Sequence, residues 1–317
     1  MTDHRHPLLV TVPGATLRRA LEQTPGGVPD GVELREWDLA GPPPVEHGTR
    51  IDLVVPPYMG AADRLGALEG VDVGLVQSQS IGYDDVPDAL PPGHVFANAA
   101  SVHETSTAEL ALTLVLAAQR GIPDFVRAAS EGRWAPARHE SLADRRVLLL
   151  GYGGVGRAIE ERLAPFEVDL TRVANHARDD ATGRIHGIDE LPQLLPTAEI
   201  VIVGVPLNDA TTGLVDREFL AALPDGALVV NIARGRVADT DAILAEATSG
   251  RLRFALDVTD PEPLPDGHPL FALPNVLISP HVGGASTAMM PRMARLLRRQ
   301  IERMLRGEAP LNVVLRT

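Results

Sequence analysis

The chain has no cysteine, which excludes a disulfide framework, a thiolate metal site and a cysteine nucleophile. It is also short of positive charge: 29 lysine and arginine residues stand against 42 acidic ones, for a formal net charge of −13. That balance argues against a nucleic-acid partner and for solubility. Its most apolar stretch, Leu110 to Ala118, is too short to span a bilayer, so no membrane partner is expected. Met1 to His6 is charged and lacks the small-residue cleavage site of a signal peptide, which predicts a cytoplasmic protein. No internal repeat or low-complexity segment stands out, and no metal site is expected.

At 317 residues the chain exceeds what one hydrophobic core usually serves, so two domains are expected. Its organising stretch is Val147 to Ile159. An apolar run of strand length feeds Gly151, Gly153 and Gly156 at G-x-G-x-x-G spacing, with Gly154 and Val155 between them, and an amphipathic segment follows. Gly151 closes a tight turn, Gly153 lets backbone approach a pyrophosphate, and Gly156 lets helix and strand pack closely. The helix then points its free N–H groups at an anion. A glycine-rich turn without a ligand is the alternative.

Before this stretch, Leu8 to Val12, Val32 to Trp37, Ile51 to Val55, Val73 to Val76 and Val95 to Ala97 read as strands, with helices at Ala15 to Gln23 and Ala61 to Leu68. Proline-rich loops separate several of them. Gln77 to Tyr83 follows a strand. Its small residues either offer backbone N–H groups to an anionic substrate or form an ordinary turn. A long helix, about Thr105 to Arg120, is apolar on more than one side and is expected between domains or subunits. Strands are predicted at Val168 to Val173, Glu199 to Val203, Ala227 to Asn231, Phe254 to Asp257 and Val276 to Ile278. Helices are predicted at Asp216 to Leu223, Asp239 to Ser249 and Ala285 to Arg306. The expected division is a substrate domain of 1–100 and 285–317 and a dinucleotide-binding domain of 101–284.

An NAD site places an acid about 20 residues past the fingerprint to accept from the ribose 2′-hydroxyl. Here Ala174 and Asn175 occupy that place, while Asn175, His176 and Arg178 are able to donate to a 2′-phosphate. NADP(H) is therefore favoured over NAD(H). The alternative is that His176 and Arg178 are solvated loop residues.

Three further clusters carry chemistry. Arg234 follows a strand end in NIARG, where a guanidinium fork suits a 2-oxo carboxylate. Asp257 and Glu262 lie in LDVTDPEPLP, and His281 lies in SPHVGG with Gly283 and Gly284. In this order, after GYGGVG and the TAELALTLVLAAQR helix, the motifs resemble those of the D-isomer-specific 2-hydroxyacid dehydrogenase family. The resemblance is most specific from Ala108 to Gly284.

That resemblance implies an α/β protein: a Rossmann-type doubly wound parallel sheet plus a smaller flavodoxin-like substrate domain, with the active site in the cleft. It implies a homodimer built around the cofactor domain. The family's arginine, glutamate and histidine fall on Arg234, Glu262 and His281. His281 would protonate the carbonyl oxygen as hydride reaches the adjacent carbon, Glu262 would orient the imidazole and favour its protonated form, and Arg234 would bind the carboxylate. Backbone N–H groups of Ser80, Ile81 and Gly82 would complete the anion site. Asp257 matches a cofactor-side acid; Val205, Pro206 and Thr211, then Ile232 and Ala233, fall in cofactor-lining loops. Tyr58 and Met59 either line the substrate pocket or belong to the core. The implied reaction is reversible reduction of a 2-oxo acid to the D-2-hydroxy acid. A dinucleotide-sensing, corepressor-like protein with little turnover is the alternative.

Overall fold

Leu8–Val12 (LLVTV) is buried at every position, as befits a strand covered on both faces. It is β1 of a first unit comprising residues up to His103 and Thr287–Thr317; Glu104–Ser286 form a second unit. The computed structural model describes residues 6–317, so all but the last residue of the Met1 to His6 segment lies outside the described residues. The chain crosses between units after His103 and Ser286, a few residues later than the sequence suggests.

In the first unit, β1 is followed by α1 (Ala15–Glu22), β2 (Val32–Glu36), β3 (Ile51–Val54), α2 (Ala62–Leu65), β4 (Val73–Gln77) and β5 (Val95–Ala97). Their order in the sheet is β2-β1-β3-β4-β5, all parallel, the flavodoxin-like arrangement. Alternate strand residues face opposite ways. Val10, Val12, Leu53 and Leu75 pack with Leu17 and Leu21 of α1, while Leu9, Ile51, Val54 and Phe96 pack with Trp37, Leu65 and Leu68.

The second unit opens with α3 (Glu104–Gln119) and α4 (Ile122–Ser130). Then come β6 (Arg146–Leu150), α5 (Gly154–Leu163), β7 (Asp169–Ala174), β8 (Arg178–Asp180), β9 (Gly183–Gly187), α6 (Leu191–Leu194), β10 (Ile200–Val203), α7 (Arg217–Ala221), β11 (Leu228–Asn231), α8 (Thr240–Ser249), β12 (Arg253–Leu256) and β13 (Val276–Ile278). The sheet order is β13-β12-β11-β10-β6-β7-β9-β8, a doubly wound parallel sheet with β8 antiparallel at one edge. Leu148, Leu150, Val201, Val203, Val229 and Phe254 face α7 and α8; Val147, Leu149, Ile200, Ile202 and Val230 face α3 and α5. The apolar character of α3 is thus accounted for largely within this unit, by contact with α5, β11 and β12.

The chain returns to the first unit through α9 (Met289–Leu305), whose Met289, Met293, Leu296, Leu297 and Ile301 join the α1 side of that core. It ends in β14 (Val313–Arg316), antiparallel to β5. Sequence periodicity overlooked α4 and the β8–β9 hairpin. All three residues of β8, Arg178, Asp179 and Asp180, are exposed, so no apolar alternation marks it.

After β9, the Glu190 carboxylate accepts from the Gly187 N–H (2.9 Å), from His186 Nδ1 (2.8 Å) and from Arg184 (3.0 Å). The backbone bond foremost, then His186 and Arg184, hold its pKa at about 2 against an ordinary 4.5. A depressed carboxylate pKa stabilises the fold above the unfolded value, and that stabilisation is lost as pH falls toward the folded value. Between pH 4.5 and 2, Tm is therefore expected to fall more steeply for the wild type than for Glu190→Gln. Parallel curves in thermal melts across that range would count against this turn as an acid-sensitive element.

Candidate active site

Strand β6 is followed by Gly151, whose φ of +108° suits glycine alone. A Cβ there would lie 2.5 Å from the Gly204 carbonyl oxygen, and one on Gly156 would lie 2.2 Å from that of Gly151. The turn, the start of α5 and the loop after β10 are therefore pressed together. Gly153 has open space around it. It is also the N-cap of α5 and offers no side-chain cap, whereas Asp216 and Asp239 cap α7 and α8. The first N–H groups of α5, around Gly154, Val155 and Gly156, are left for an anion, and the cradle fits a dinucleotide pyrophosphate. In the loop after β10, Val205 and Thr211 are buried, and Thr211 Oγ1 donates to the Pro206 carbonyl at 2.6 Å.

At the end of β7 there is no acid: the strand closes on Ala174. Asn175 and His176 are exposed, with Asn175 Nδ2 3.1 Å from His176 Nε2. Arg178 begins β8, where the sequence suggests a loop, and its guanidinium reaches the carbonyls of His176 (3.4 Å) and Tyr152 (3.5 Å). Beneath it lies a group that sequence reading missed. Arg172, buried on β7, contacts Tyr152 Oη and Glu160, each at 3.4 Å, Asp180 at 3.2 Å, and Thr182. Tyr152 also donates to Glu160; burial and that bond push its phenol up. The Thr182 hydroxyl and backbone N–H, with Arg172, hold Asp180 below the ordinary carboxylate range.

Strands β11, β12 and β13 are neighbours and parallel, so the segments after their carboxyl ends meet. Asn231, the last residue of β11, accepts from the Ala233 N–H (3.0 Å) and donates to the Arg234 carbonyl (3.2 Å), which fixes the buried turn Ile232-Ala233 and the half-buried Arg234. A Cβ on Gly235 would lie 1.8 Å from the Thr259 carbonyl oxygen, so glycine is what lets the arginine turn approach the loop after β12.

That loop starts at the buried Asp257. One of its oxygens accepts from Ser279 Oγ (2.7 Å) and the Val282 N–H (2.9 Å); the other accepts from the Gly283 N–H (2.9 Å). Its carbonyl takes the His281 N–H at 2.7 Å. The carboxylate expected beside a cofactor thus has a second duty, anchoring the histidine loop. A Cβ on Gly283 would lie 2.9 Å from that carboxylate, and Gly284 follows it. His281 is held at φ +50°, a conformation that costs a non-glycine residue about 1 kcal/mol or more. Its Nδ1 lies 2.5 Å from Glu262 Oε1, which leaves Nε2 for another partner. The two side chains are 40% and 41% exposed, so a ligand can reach the pair.

In the first unit, Ser80 departs from expectation. Its N–H already donates to Ser78 Oγ (2.9 Å), leaving Ile81 and Gly82 as the loop's candidate anion donors. Tyr58 packs against the core and stacks on His103, with ring centroids 5.6 Å apart and 17° between planes, while Met59 is exposed. His103 Nε2 lies 2.6 Å from the Gln79 carbonyl, tying the Tyr58 segment to the Gln77 to Tyr83 loop.

Residues 112–283 match the sequence family described as D-isomer specific 2-hydroxyacid dehydrogenase, NAD binding domain. A glyoxylate reductase of Thermofilum pendens is 31% identical over 247 residues, 74% of this chain and 73% of that protein. The human glyoxylate reductase/hydroxypyruvate reductase is 30% identical over 249 residues, 75% of this chain and 76% of the relative. Among solved structures, a D-isomer specific 2-hydroxyacid dehydrogenase from Xanthobacter autotrophicus Py2, in complex with NADPH and MES, aligns over 98% of both chains. It is 30% identical, with a TM-score of 0.80.

Removing the Asp257 carboxylate strands three donors at the histidine loop, each unmet buried donor costing about 1–3 kcal/mol. Asp257→Ala is expected to lower the unfolding free energy by at least about 2 kcal/mol in urea titrations. An unchanged midpoint would remove Asp257 as the anchor.

Proposed function

The chain belongs to the D-isomer specific 2-hydroxyacid dehydrogenase family, and we propose that it reduces a 2-oxo acid to the D-2-hydroxy acid with NADPH preferred over NADH and His281 as the acid. The observation that carries this reading is the 2.5 Å contact of His281 Nδ1 with Glu262. A bound nicotinamide dinucleotide supplies the hydride. Glu262 fixes which ring nitrogen faces inward, so Nε2 carries the proton to the substrate's carbonyl oxygen and retrieves it in the reverse direction. Arg234 holds the substrate carboxylate through its planar fork and polarises the adjacent carbonyl.

The coenzyme reading is supported by the uncharged residues at the end of β7, Ala174 and Asn175, and by the donors Asn175, His176 and Arg178. A homologous structure holding NADPH supports it. A homodimer built on the second unit is supported by three large apolar side chains left exposed in 122–134: Ile122 (46%), Val126 (62%) and Trp134 (96%).

Steady-state kinetics with glyoxylate, hydroxypyruvate and phenylpyruvate test the reading. His281→Ala is expected to lower kcat by about 10²–10⁴-fold, and kcat/KM is expected to be higher with NADPH than with NADH. Unchanged turnover in the variant removes His281 from the chemistry; wild-type silence across the panel favours a dinucleotide sensor. For the assembly, light scattering is expected to give a dimer mass for the wild type and a monomer mass for Val126→Glu/Trp134→Glu; a monomeric wild type refutes the dimer.

A further inference from the structure

An arginine buried on an inner strand of a parallel sheet is an expensive choice, because its charge must be matched where water is scarce. Arg172 sits on β7, between β6 and β9, at 5% exposure. Its guanidinium faces two groups of partners. On one side are Tyr152 Oη (3.4 Å), from the glycine turn, and Glu160 (3.4 Å), from α5. On the other are Asp180 (3.2 Å), Thr182 Oγ1 and the Arg184 carbonyl (3.2 Å), all from the β8–β9 hairpin. The guanidinium carbon also lies 5.3 Å from the Tyr152 ring centroid.

The hairpin needs such a fastening. Strand β8 is three residues long, wholly exposed and at the sheet edge, paired only with β9. Strand β9 joins β7 at Val173↔His186 and Ala174↔Gly187, away from the turn of the hairpin, and a three-residue edge strand beyond it has little stability of its own. Its turn is braced by Asp180 Oδ1, which accepts from the Thr182 N–H at 2.9 Å, and Arg172 holds that braced turn from below. Arg178, the first residue of the same strand, is thereby set against the Tyr152 carbonyl of the glycine turn.

We infer that Arg172 is a positioning residue for recognition of the cofactor's 2′-phosphate: it fixes the distance between the pyrophosphate cradle and the strand that carries Arg178. The inference rests on the NADPH preference proposed above. Arg172 need not touch the cofactor; its effect passes through the hairpin. The pyrophosphate cradle is built from backbone and glycines, so its geometry survives a loosened hairpin better than the ribose end does.

The test compares wild type, Arg172→Gln, Arg172→Lys and Asp180→Ala/Thr182→Val. The last releases the hairpin while leaving Arg172, Tyr152 and Glu160 in place, and it serves where the arginine variants fold poorly. The readouts are KM for NADPH and NADH, kcat, and inhibition constants for 2′,5′-ADP and 5′-AMP, which differ only in the 2′-phosphate. In Arg172→Gln and the double variant, KM for NADPH and Ki for 2′,5′-ADP are expected to rise about tenfold, the scale of one charge-assisted contact. KM for NADH, Ki for 5′-AMP and kcat are expected to stay within about twofold. Lysine keeps the charge without the fork, and its loss is expected to be intermediate. Parallel changes for both coenzymes, or none, in a protein whose wild type prefers NADPH would overturn the positioning role alone. A wild type that prefers NADH would overturn the coenzyme reading and this inference with it.

Discussion

The site hangs on one buried carboxylate. Asp257 stands just past β12, the strand next to the β13 edge of the sheet, and uses both oxygens to gather the Val282 and Gly283 N–H groups and the Ser279 hydroxyl, while its carbonyl takes the His281 N–H. These bonds hold His281 in a left-handed conformation that the residue would not choose unaided. The imidazole then meets Glu262, which approaches from the loop that Asp257 itself begins. One anchor thus serves both the loop and the His281–Glu262 pair, and backbone strain at the histidine is sustained by bonds that lie outside that pair.

Parallel strand order does the remaining work. Because β11, β12 and β13 lie side by side, three chain segments far apart in sequence leave the same edge of the sheet. Gly235 then allows the arginine turn to close on the backbone of the loop after β12. This is the usual place for ligands in an open α/β sheet, outside the carboxyl ends of its strands. The flavodoxin-like first unit follows the same winding rule, with a shorter sheet and α9 completing its core.

Much of this was legible in the sequence because it depends on local chemistry. The glycine spacing announced the turn before α5, while Arg234, Glu262 and His281 were singled out by the resemblance of the NIARG, DPEP and SPHVGG motifs to those of the family, not by each residue taken alone. What was illegible depends on burial or distant partners. Arg172 reads as one more charge in a polar stretch until the sheet closes over it. The β8–β9 hairpin has no apolar alternation, since its first strand faces solvent throughout. The stack of Tyr58 on His103 gains its role only from a neighbour that the fold brings to it. Ser80 shows the converse: its N–H looked available, but a hydroxyl two residues away takes it.

The bare amino end of α5 has a wider consequence. A helix start without a side-chain cap carries a deficit that an anion removes. Any ligand that binds only the native state adds RT ln(1 + [L]/Kd) to its stability, about 2.7 kcal/mol at a hundredfold excess over Kd. A dinucleotide held at that helix start would therefore stabilise the fold as well as serve the reaction, by an amount set by its concentration relative to Kd.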